Sequence, residues 1–78
     1  MRLISEFALD QRIKASLFSW NGKFLVKLES EQLEQTYKFR ETDLDSPEAL
    51  KDWMNSPGFL EKIRALFVEM ETLQDACF

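Results

Sequence analysis

The sequence predicts an α+β domain: a four-stranded antiparallel β-meander, then a short helix and a longer C-terminal helix packed on one sheet face. Three observations predict it. Apolar residues alternate on both sides of an Asn21-Gly22 pair, and Ser46-Pro47-Glu48 opens a helical half. Phe59, Ile63, Leu66, Met70, Leu73 and Cys77 then recur at a 4-3-4-3-4 spacing. Alternation with period two marks strands, and this longer spacing marks an amphipathic helix. Residues 1–78 read as one domain, with the sheet over 1–40 and the helical layer over 46–78.

The first strand, Leu3 to Leu9, is expected to pair with Ile13–Trp20 through an Asp10-Gln11 turn. Two registers stay open. A two-residue turn points Ile4 and Ala8 to the core, whereas a three-residue loop points Leu3 and Phe7 there. Asn21-Gly22 is more decisive, because it supplies both positive-φ residues of a type I′ hairpin turn. Trp20 then faces Lys23, Phe18 faces Leu25 and Leu17 faces Val26. One face of this hairpin carries Ile13, Ala15, Leu17, Phe24, Val26 and Leu28, and is the core face. A third connection, Glu29-Ser30-Glu31-Gln32, leads to a strand over Leu33–Arg40. Setting Leu28 opposite Leu33 brings Phe24 to Tyr37 in the core and Lys27 to Glu34 outside.

In the helical half, Ser46 is a good N-cap, Pro47 suits the first helical position and Glu48 complements the helix dipole. Ala49, Leu50, Trp53 and Met54 form one stripe. Asn55-Ser56-Pro57-Gly58 then breaks the chain before the longer helix, whose stripe is widened by Leu60 and Phe67. That breadth suits packing on the sheet better than a coiled-coil seam.

Composition excludes several function classes. A chain of 78 residues hides only about 60% of its unfolded surface. One Cys makes no internal disulfide, so a bridged secreted scaffold is excluded. With no His, the Ser-His-Asp, Cys-His and His-ligated zinc constellations lack a member. No cofactor, catalytic or metal site is expected, and no enzyme. Glu6 and Asp10 break the N-terminal apolar stretch that a signal peptide needs, and no apolar run reaches membrane-span length. A cytoplasmic protein without membrane partners is expected. Glu41-Thr42-Asp43-Leu44-Asp45 lacks the glycine and length of a calcium loop and reads as a solvated linker. Cys77 has no neighbour that lowers a thiol pKa and is expected to be buried or inert.

Charge and aromatic placement point to one surface. Residues 1–40 hold seven basic and five acidic side chains, a balance of +2; residues 41–78 hold three and nine, a balance of −6. A mildly basic sheet is thus joined to an acidic helical layer. Away from the core, Phe18, Trp20 and Leu25 project among Lys14, Lys23 and Lys27, with Lys38 beside Lys23. Three large apolar groups on a nominal solvent face form a candidate interaction surface. A second copy of the chain is the favoured occupant, giving a non-catalytic homodimeric interaction module. The alternatives are cover by the chain's own C-terminal end or break segment, and single-stranded nucleic acid stacked on the aromatics. The net charge of −4 disfavours nucleic acid. A further option is a basic protein partner docked on the acidic helical layer.

The stretch Leu17-Phe18-Ser19-Trp20-Asn21-Gly22-Lys23-Phe24-Leu25-Val26-Lys27, followed by Leu33-Glu34-Gln35-Thr36-Tyr37-Lys38, resembles a group of short bacterial proteins of uncharacterised activity. Such proteins are of the kind found in Bacteroidetes genomes, and the resemblance implies no site residue. Four antiparallel strands followed by a helix is also similar in order to the repeat of PUR and Whirly-type single-stranded nucleic-acid binders. That similarity implies a dimer, without any sequence motif of theirs, and is an analogy of fold alone.

Overall fold

The computed structural model describes residues 1–78. Strands β1 (Arg2–Ala8), β2 (Lys14–Trp20), β3 (Lys23–Ser30) and β4 (Leu33–Arg40) form one antiparallel sheet in sequence order. A 3-10 turn over Glu41–Asp43 leads to α1 (Glu48–Met54) and α2 (Phe59–Asp75). The architecture is the predicted α+β order, with both helices on one sheet face.

The β2–β3 hairpin follows its turn chemistry. Asn21 and Gly22 take φ of 52° and 73°, and Trp20 pairs with Lys23, Phe18 with Leu25 and Leu17 with Val26. The β3–β4 register corrects the expectation by two residues. Ser30 pairs with Leu33, so Leu28 faces Gln35, Phe24 faces Phe39 and Lys38 stands beside Leu25 instead of Lys23. The cause is a tight Glu31-Gln32 turn in which Glu31 adopts φ 53°, a conformation uncommon for a residue with a Cβ. Closing there lets eight residues of each strand pair and satisfies more backbone groups than a four-residue loop would.

Of the two registers left open for the first strand, the three-residue loop holds next to the turn. There the Leu9 N–H donates to the Ile13 carbonyl and Phe7 pairs with Ala15 on the core face. This register gives way only beyond Ser5. The connection runs over Leu9–Ile13, and the β1–β2 pairing shifts between Leu3 and Ser5. This bulge at Ile4 lets Ile4 and Phe7 both pack against the core, while Leu3 faces Phe18 on the outer side. Asp10 holds the loop together. Its Oδ1 accepts the N–H groups of Arg12 (2.7 Å) and Ile13 (2.9 Å), and its Oδ2 meets Arg64 of α2 at 2.8 Å.

The core joins Ile13, Ala15, Leu17, Phe24, Val26 and Leu28 to Leu50, Met54, Phe59, Ile63 and Phe67. Fully burying one such aliphatic or aromatic side chain contributes about 1.5–3 kcal/mol. Trp53 of α1 sits edge-on to Tyr37, Phe39 and Phe59, with ring centroids 5.6, 5.3 and 4.8 Å away. Edge-to-face pairs of this kind add roughly 0.5–1.5 kcal/mol each. Gln35 is the one buried side chain on the core face able to grip the helix. Its Nε2 donates to the Ile63 carbonyl (3.2 Å), and its Oε1 accepts from the Tyr37 hydroxyl.

The helical layer departs from expectation at Ser46 and along the face of α2. Ser46 makes no side-chain cap; its carbonyl instead accepts the Ala49 N–H at 3.2 Å. Gly58, at φ 81°, makes the left-handed turn that starts α2. The buried face of α2 is Phe59, Ile63 and Phe67, flanked by Leu60 and Met70. Leu66 and Leu73 of the expected stripe are exposed, and so is Cys77, which removes burial from the expectation of a buried or inert thiol. The roll of α2 follows from its tethers, since Gln35 grips the Ile63 carbonyl and Asp10 grips Arg64. Together they bring Phe67 into the core ahead of Leu66. No helix is long and apolar enough to cross a membrane.

Candidate interaction surface

The pairing register sorts the outer sheet face into rows across the strands. Nearest the β2–β3 turn lie Trp20, Lys23 and Arg40. The next row is Leu3, Phe18, Leu25 and Lys38. Then come Glu6, Ser16, Lys27 and Thr36, and finally Ala8, Lys14, Glu29 and Glu34. All six residues singled out in the sequence, Lys14, Phe18, Trp20, Lys23, Leu25 and Lys27, therefore share this face. No helix covers it, because α1 and α2 pack on the other side.

The six are not equally available. Trp20 is 46% exposed and Phe18 is half-buried. Leu25 is only 7% exposed although it lies outside the core cluster. Phe18 and Lys38 flank it on both neighbouring strands and close over it. Leu3, left open by the sequence, joins the apolar row at 49% exposure. The only sequence signal for it was an apolar residue one strand away from Phe18, and the Ile4 bulge decided its side.

The lysines divide as well. Lys14 pairs with Glu6 at 3.2 Å, and Lys27 lies 3.8 Å from Glu34 and 4.0 Å from Glu29. The Lys27–Glu34 contact expected from sequence thus forms, but diagonally, since Thr36 is the direct partner of Lys27. Arg40 is held by Asp43 at 3.0 Å. Lys23 and Lys38 form no ion pair and carry the free positive charge of the face, Lys23 directly beside Trp20 and Lys38 in the next row on β4. The face is polarised along the strands: cationic and aromatic at the β2–β3 turn, ion-paired and more acidic at the other end. No group of three acidic, Cys or His side chains suited to a metal ion comes together.

No family model matches the chain, and no curated protein or solved structure matches it.

Proposed function

We propose that this chain is a non-catalytic homodimeric interaction module that associates through the outer sheet face. The observation that carries the reading is the exposed pair Leu3 and Trp20, with half-buried Phe18 opposite Leu3 and on the strand of Trp20, on a face that no helix of the chain covers. The sheet edges favour the face over edge-to-edge pairing. The bulge at Ile4 disrupts the β1 edge, and Lys38 and Arg40 put charge on the β4 edge.

The polarity of the face supports a second copy as the occupant. A two-fold axis running across the strands inverts the strand direction, which sets the Lys23 and Lys38 end of one protomer over the Glu29 and Glu34 end of the other. Self-complementary patches of this kind are what an isologous dimer requires. A standard interface takes about 800 Å² per partner, roughly one seventh of the 5696 Å² surface. Even a fully covered Trp contributes at most about 250 Å². The dimer therefore uses the whole face, not the Trp20 corner alone.

Light scattering over a concentration series tests the reading, with a dimeric mass expected for the wild type and a monomeric mass for Trp20→Glu. A wild type still monomeric at about 1 mM, where even ~4 kcal/mol of association free energy is visible, removes it. A second reading, single-stranded nucleic-acid binding, draws on the exposure of Trp20 beside the unpaired Lys23, with the unpaired Lys38 on the same face. The ion pairing of Lys14 and Lys27 counts against it. Titration with an oligonucleotide at two salt concentrations tests it: phosphate contacts weaken as salt rises, and absence of binding at low salt rejects it.

A further inference from the structure

At the sheet end opposite Trp20, the C-terminal half of α2 and the two loops beneath it enclose a half-open groove of about 390 Å³. That volume lies within the range of roughly 300–1,000 Å³ typical of ligand sites. Its apolar lining is Ile13 and Phe67, nearly buried at the base, half-buried Leu33, and Val68 exposed on the helix side. Phe67 and Ile13 belong to the core, so the groove opens directly onto the edge of the packed interior.

Its rim is acidic. Glu71 and Asp75 stand one helical turn apart on α2, and Glu31 faces them from the β3–β4 turn. None of these three carboxylates forms an ion pair within the chain. Arg64 is held by Asp10, which leaves Arg12 as the one unpaired cation at the groove. The backbone adds to this field. A helix C-terminus carries the negative end of the dipole and is stabilised by nearby Lys or Arg, yet the last turn of α2 holds no basic residue. The chain places carboxylates where its own stability favours cations.

We infer that this groove docks a basic peptide segment from another protein. Val68 to Asp75 spans seven helical steps, about 10 Å, the length of roughly three residues of extended chain. In that span a Lys or Arg side chain of the partner reaches Glu71, Asp75 and Glu31. An apolar neighbour of that side chain covers Leu33 and Phe67. The trough runs along the helix, which suits a length of chain better than a compact molecule. The site lies on the helical side of the sheet and stays open whether or not the outer face pairs, so the two proposals stand separately.

The probe is a fluorescein-labelled pentapeptide alternating leucine with lysine or arginine, titrated with the whole protein and followed by anisotropy. Saturable binding is expected, with no binding of the same peptide carrying glutamate at its charged positions. Combining Glu71→Lys with Asp75→Lys should weaken binding at least about tenfold, because close, partly desolvated charge pairs carry much of such an affinity. Glu69→Lys makes the same charge change as Glu71→Lys alone, on α2 but outside the groove. It should weaken binding less than about twofold, against at least about threefold for Glu71→Lys. Asp75→Lys also complements the helix dipole, so its melting temperature should not fall and lost binding cannot be ascribed to unfolding. Absence of binding to the wild type overturns the inference, and so does a loss in Glu69→Lys equal to that in Glu71→Lys, which reports bulk attraction alone. The mass of each sample, read in parallel, separates this result from the fate of the dimer.

Discussion

Adjacent residues on α2 give a decisive test of how the helix is seated. Phe67 is 6% exposed within the core, whereas Leu66 is 42% exposed. Truncating a buried Phe to Ala removes its transfer free energy and leaves a cavity, costing about 3–5 kcal/mol. Leu66→Ala surrenders only the covered part of a smaller side chain and should cost about 1 kcal/mol or less. A chain of this size has a total stability of roughly 4–12 kcal/mol, so Phe67→Ala uses up a large fraction of it. Urea unfolding monitored by circular dichroism is the assay. With a slope near 1 kcal/mol/M for a small domain, Phe67→Ala should lower the midpoint by about 3–5 M and Leu66→Ala by about 1 M or less. Should Phe67→Ala fail to fold, Phe67→Leu provides a milder probe, since near-conservative core swaps usually cost under about 1.5 kcal/mol. Equal losses in the two alanine variants, or a larger loss in Leu66→Ala, would refute the observed roll of α2 and restore the 4-3-4-3-4 face.

Two further outcomes follow from the loops. The N–H of Arg12, and then the guanidinium of Arg64, hold the Asp10 carboxyl below its ordinary value of 3.8. A folded-state pKa below the unfolded one means that the folded chain binds fewer protons, so this contribution is present above about pH 4 and is lost as pH falls through the folded value. Asp10→Asn should therefore be less stable than the wild type at neutral pH, with the gap narrowing in acid; a gap that ignores pH contradicts the account. Gly22→Ala should cost about 1–2 kcal/mol through its left-handed backbone, because its added Cβ would meet nothing closer than Glu41 Oε2 at 3.9 Å. Thermal melts of that variant check the value, and an unchanged melting temperature would reject it.

How much was legible in the sequence depended on whether local chemistry settled each choice. Asn21-Gly22 fixes its hairpin because few other turns suit that pair, so the pairing of Phe18 with Leu25 could be read without tertiary information. Glu31 carries no such mark. A glutamate in the left-handed region is a locally unfavourable choice made for the sake of strand pairing, and it moved Lys38 from the side of Lys23 to the side of Leu25. The bulge at Ile4 is equally silent, since its reason is that Ile4 and Phe7 both reach a core assembled from residues far along the chain. In α2 the apolar residues were evident, but choosing Phe67 over Leu66 needed the grips of Gln35 and Asp10. For the outer face, parity along the strands placed the six residues together correctly. Their coverage could not be read that way, because it depends on neighbours from β1 and β4 whose registers were open or misplaced.

The sequential order of the meander has a kinetic consequence. Every strand pairs with its neighbour in the chain, so the sheet closes only short loops and can form by local steps. The helix is different: the Gln35–Ile63 and Asp10–Arg64 contacts join residues 28 and 54 positions apart. Such contacts close longer loops and form after the strands have met. The expected order is a sheet that assembles first and a C-terminal helix that docks last. In the native protein the same asymmetry allows α2 to open at its far end while the hairpins stay paired. Amide exchange should then be fastest in the final turns of α2 and slowest in β2 and β3, the two strands flanked on both sides.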